Sequence, residues 1–138
     1  MSFSAEHEPE GDREALVQLL DLSASARALI AEGMNTFGYE RFTSFLGLED
    51  IEPESRVLLA EFLARHVDSY RTREAMHFDL LDTIGFVRAA PSFLEADPDN
   101  PGDLRWDHAA IDEYMTSTYD VIQGKEEVHV FRRRKQRD

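Results

Sequence analysis

The chain has 138 residues, of which 42% are hydrophobic, 10% aromatic and 31% charged, enough apolar material for one core and enough charge to stay dissolved. Fifteen Lys+Arg against 28 Asp+Glu give a formal charge of −13, a surface that repels phosphate-coated partners and favours basic ones. The absence of Cys excludes disulfides, thiol catalysis and thiolate-held metal centres, and no apolar run approaches the ~18 residues of a membrane-spanning helix.

Residues 1–11 are polar and acidic and read as a flexible arm, without the basic and then apolar pattern of a secretory signal, so a cytoplasmic location is expected. From Asp12 the apolar residues Ala15, Leu19, Leu22, Ala26, Leu29 and Gly33 recur at helical spacing, predicting a helix of about five turns capped by Asp12 and favoured by Glu14 near its positive end. Tyr39 to Leu46 reads as a short helix. Its neighbours Phe37, Tyr39, Phe42 and Phe45 form an aromatic cluster best placed in a core.

Glu52-Pro53-Glu54-Ser55 has the composition of a helix start. Apolar periodicity then runs from Val57 to Val87 and weakens between Ser69 and Thr72, so residues 54–88 form either one long helix or two, with Thr72 capping the second. Ala90-Pro91 closes this stretch, and Ser92 to Ala96 suits a single turn. Asp97 to Asp103, with two prolines and a glycine, is a loop. Asp107 to Gln123 is a further amphipathic helix, with Gly124 placed to stop it. Glu127 to Phe131 alternates apolar and polar residues but has no evident strand partner, so it is expected to be part of an extended tail. The expected fold is an all-α, single-domain bundle of four to six helices over residues 12–124, followed by a basic tail over 125–138.

The short catalytic signatures for nucleotide loops, zincins and hydrolase elbows are missing. Asp97, Asp99 and Asp103 superficially suit a calcium loop, but Pro101 and His108 occupy its fifth and twelfth positions, which removes most of the ligands. Glu74-Ala-Met-His77 projects a carboxylate and an imidazole from one helical face, the geometry of half a di-iron bundle site. His66, Tyr70, Glu74 and His77 would lie along one stripe if the helix were continuous, and His108 and Asp112 form a second pair one turn apart. Iron, manganese or zinc held by His66, Glu74, His77, His108 and Asp112 is therefore the alternative reading. The full bundle pattern also calls for a Glu from each of two other helices, and the first-helix candidates Glu14 and Glu32 lie at the ends of that helix.

The leading expectation is a non-enzymatic interaction module without a cofactor, a regulator, inhibitor or assembly adaptor whose acidic body meets a basic protein surface. Glu49, Asp50, Glu52 and Glu54 form a dense acidic stretch, and Trp106 follows a loop where an exposed ring would anchor a partner. Arg132, Arg133 and Arg134 open a terminal segment of seven residues with five bases and one acid, leaving ten bases and 27 acids elsewhere, a net −17. That contrast allows tail-to-body pairing in a homodimer, and nucleic acid only through the tail.

Overall fold

The computed structural model describes residues 21–134. Among them are six α-helices and five strands in two antiparallel sheets. The expectation of an all-α bundle is thereby overturned, and the protein is a mixture of helix and sheet. The chain divides into two compact units, Met1–Phe62 and Leu63–Asp138.

In the first unit, α1 (Ala24–Phe37) starts at Ser23, whose hydroxyl accepts the amide of Ala26 at 3.1 Å. Asp12 and Glu14 lie outside the described residues. Residues 21–23 are not helical, so the periodic stretch does not continue as one helix to Gly33. A short serine side chain bonding the backbone ahead of it favours such a start. Gly38, at φ 104°, turns the chain directly into α2 (Tyr39–Leu46), a conformation that other residues rarely adopt. Phe42 and Phe45 are buried with Phe62, their ring centres 5.3–5.8 Å apart. Tyr39, by contrast, is exposed. Phe42 lies so close over Gly33 that a Cβ there would come 2.4 Å from its Cζ.

Helix α3 (Leu58–Arg65) begins later than the Glu52-Pro53 signal suggested. Glu54 instead turns back to Ser23, accepting its amide at 2.9 Å and its hydroxyl at 2.7 Å. Those bonds hold the Glu54 carboxyl below its ordinary pKa. The boundary between the units falls inside α3.

The second unit is built on a three-stranded sheet. Strand β1 (His66–Tyr70) follows α3 directly, then α4 (Arg73–Ile84) and α5 (Phe86–Phe93). A hairpin of β2 (Leu94–Ala96) and β3 (Leu104–Trp106) leads to α6 (His108–Thr118), β4 (Tyr119–Gln123) and β5 (Val128–Arg132). The order is β1-β5-β4, antiparallel throughout. The segment expected to be a tail is thus the central strand. Its partners were hidden inside helical patterns: residues 66–70 in the middle of the 54–88 stretch, residues 119–123 at the end of the last predicted helix. Gly124 does not stop a helix; its amide bonds Glu127 across the β4–β5 turn.

The 54–88 stretch therefore holds two helices separated by β1, and Thr72 caps the second by accepting the Ala75 amide at 3.0 Å. Asp107 does the same for α6 through the Ala110 amide. Pro91 does not end a helix but sits within the last turn of α5, whose earlier turn is set off from α4 by Gly85 at φ 102°. Val128 and Val130 face α4 and α6 through Met76 and Met115, and Leu81, Ala89, Phe93 and Ile111 complete the helical core.

Arg65, just before β1, closes one end of the sheet. Its Nε donates to the Arg132 carbonyl at 2.8 Å, and its Nη2 pairs with Asp120 at 3.1 Å, so one guanidinium ties the ends of all three strands. Replacing Arg65 by Ala removes both of these bonds and is expected to cost about 2–3 kcal/mol. Gly33→Ala is expected to cost about 1–3 kcal/mol because Phe42 has to move. Urea denaturation followed by circular dichroism checks both, and an unchanged midpoint in either contradicts the assignment.

Candidate functional site: a histidine–carboxylate chain and an acidic apolar edge

Helices α4 and α6 pack against each other and bring together three of the residues singled out in the sequence. His77, buried on α4, places its Nε2 2.9 Å from Asp112 Oδ1 and its Nδ1 2.9 Å from His108 Nδ1. Arg73, one turn earlier on α4, donates from Nε and Nη2 to the two Asp112 oxygens at 2.8 and 3.0 Å. Its Nη1 reaches Gln123 on β4 at 3.1 Å. Arg73 and His77 are four residues apart, as are His108 and Asp112, so each helix presents its pair on one face.

The protons of this chain follow from its donors. An ionised carboxylate only accepts, so His77 donates from Nε2, and a neutral His77 ring then presents Nδ1 as an acceptor. His108 then supplies the hydrogen between the two Nδ1 atoms. Arg73 holds the Asp112 carboxyl below its ordinary pKa, against the opposing effect of burial, and the bond from His77 lowers it further. A carboxyl with a lowered folded pKa stabilises the fold above its unfolded value, and that contribution disappears as pH falls through the lower folded value. Asp112→Asn is therefore expected to lose about 1–2 kcal/mol at pH 7. The gap from the wild type narrows once the pH drops below the carboxylate range. Thermal melts of both proteins from pH 7 to pH 3 check this, and a pH-independent gap contradicts it.

The other proposed metal ligands lie elsewhere. Glu74 is exposed, outside the hydrogen-bonded chain. His66 belongs to the sheet, its Nε2 2.9 Å from Ser69 Oγ, which in turn lies 2.8 Å from Nδ1 of the fully buried His129. Ser69 sits directly across from His129 in the β1–β5 register and partners Nδ1 of that ring. Among the described residues no group of three or more His, Asp or Glu side chains is arranged to hold a metal ion.

The residues proposed for interaction also divide. In the acidic stretch, Glu54 is committed to Ser23, and Glu52 accepts the Glu54 amide at 3.0 Å, while Glu49 remains exposed and Asp50 is half-buried. Arg132 ends β5 and donates to the Ala64 carbonyl. Arg133 donates to the Thr116 carbonyl at 2.7 Å and lies 3.7 Å from Asp120, so the start of the basic segment folds onto its own chain. Arg134 is exposed.

Trp106 is half-buried and leads to a surface that the sequence did not reveal. In the β2–β3 register Leu94 faces Trp106 and Ala96 faces Leu104, so all four share one side of the hairpin, while Glu95 and Arg105 pair on the other at 2.7 Å. The inner end of the apolar side rests on the core through Trp106. The outer end does not: Leu104 is 67% exposed. Phe86 packs on Trp106 with ring centres 5.9 Å apart, bringing the start of α5 beside the hairpin, and there Phe86 is 45% and Val87 88% exposed. The connecting loop carries Asp97, Asp99 and Asp103 and no base. Asp97 accepts the Asp99 amide at 2.9 Å, which holds its carboxyl below its ordinary pKa.

The chain matches no protein-family model, no curated protein and no solved structure. Among the described residues no helix is long and apolar enough to cross a membrane.

Proposed function

We propose that the protein is a non-enzymatic interaction module of the cytoplasm that docks a basic protein segment on the β2–β3 hairpin and the start of α5. The observation that carries this reading is the pairing of exposed Leu104 and Val87, beside the Phe86–Trp106 contact, with a loop that holds three aspartates. An apolar centre with a charged rim is the anatomy of a specific interface. The net charge of −13 adds long-range attraction for a cationic partner. The occupant is therefore a segment with apolar anchors flanked by Lys or Arg. Its aliphatic or aromatic side chains cover Leu104 and Val87, and its cations meet the loop.

Capture at low salt with wild-type, Leu104→Asp and Val87→Asp baits, followed by titration of the purified partner, tests this. Both positions are exposed, so the variants keep the wild-type melting curve. A basic partner is expected to bind the wild type, to weaken with added salt, and to lose at least about tenfold in affinity to each variant. Equal binding by wild type and variants, or a partner without basic character, overturns the proposal.

A further inference from the structure

We propose that His77 and His108 form a two-histidine site for a divalent transition cation of the zinc, cobalt, nickel and copper class, independent of the hairpin surface. Three observations carry it. The first is tautomer: as a neutral ring, His77 donates its Nε2–H to Asp112 and keeps Nδ1 as a lone pair, and Arg73 fixes that carboxylate at both oxygens. A ligating histidine that donates its other N–H to a carboxylate is the usual support for such a metal.

The second is spacing. The ring centres of His77 and His108 lie 5.1 Å apart at an interplanar angle of 28°, with the two Nδ1 atoms 2.9 Å apart. These values describe rings placed nearly end to end with a hydrogen between them. Two metal–nitrogen bonds of about 2.05 Å at a tetrahedral angle put the nitrogens about 3.3 Å apart and the ring centres about 5.2 Å apart. The helices already hold the ring centres at that separation. Loading the site needs only a tilt of each ring, which opens the nitrogens by about 0.4 Å.

The third is access. His108 is half-buried at the first turn of α6, so the pair is not sealed inside the core as His77 alone would be. With two imidazoles from the protein, the remaining coordination positions belong to water. Imidazole donors select the later transition cations over magnesium or calcium. His108 shifts its proton from Nδ1 to Nε2 as the cation enters, so a neutral pair binds without net proton release.

Untagged protein stripped with chelator and titrated with zinc or cobalt tests the site. One-to-one saturation is expected, with visible d–d absorption on cobalt. His108→Ala and His108→Gln are expected to abolish both signals, and His66→Ala to leave them intact. Asp112→Asn is expected to weaken binding about 10–100-fold. Long-range nitrogen–proton NMR of the wild type reads the ligands even if a variant misfolds, and Nδ1 of His77 and of His108 should shift together. Absence of saturation at millimolar metal, binding unchanged in the His108 variants, or shifts confined to His66 or His129 overturns the proposal.

Discussion

Val128, His129, Val130 and Phe131 are consecutive and all but fully buried, and a strand closed off on both faces must have both of its edges paired. Any amide or carbonyl left open there would lose its water without gaining a partner. β1 supplies one edge and β4 the other. The rest of the second unit follows from that requirement. The two valines set the side on which α4 and α6 pack through Met76 and Met115. His129, the polar member, bonds through Nδ1 to Ser69 directly across the ladder. Arg65 then binds the strand ends together where the ladder stops.

The same packing generates the polar chemistry. Because Met76 and Met115 anchor the inner faces of α4 and α6, the neighbouring positions Arg73, His77, His108 and Asp112 are brought into register along the seam between the helices. Burial of His77 makes an unsatisfied ring nitrogen costly, and the seam satisfies both of them. The hairpin is the opposite case. It has only two strands, and its apolar side extends beyond the core that supports Trp106. What the fold completes at one end it leaves uncovered at the other.

Local signals were legible in the sequence. Thr72 and Asp107 cap helices because a short side-chain oxygen ahead of a periodic stretch has an amide within reach. The aromatic grouping around Phe42 and Phe45 did mark a buried cluster. The β1–β5 pairing was not legible, since it joins residues about sixty positions apart and His66-Val67-Asp68-Ser69-Tyr70 has too few apolar residues to show alternation, while β4, although only a turn away from β5, continued the helical pattern of the segment before it. His77 was named as part of a helical stripe that ran through His66 and Glu74, and His108 and Asp112 as a separate pair one turn apart. A strand interrupts that stripe, which moves His66 to another environment. Arg73 went unnoticed although a signal existed: two residue pairs, each four apart on separate helices, with complementary chemistry. Leu104 and Val87 could not be found, because a single exposed apolar residue becomes informative only once its neighbours in space are known.

A central strand that is also the last of the five imposes an order of events on synthesis. β1 ends at Tyr70, and its partner is not finished until Arg132 has been added. At about 5–20 residues per second, the first edge waits roughly 3–12 s without its mate. During that interval β1 and then β4 present open edges, and the helices have no sheet on which to rest. Such non-local closure slows folding and exposes the growing chain to misassociation. The charged residues in β1 and β4, Asp68 and Asp120, leave those edges poorly suited to pairing with another chain while they wait.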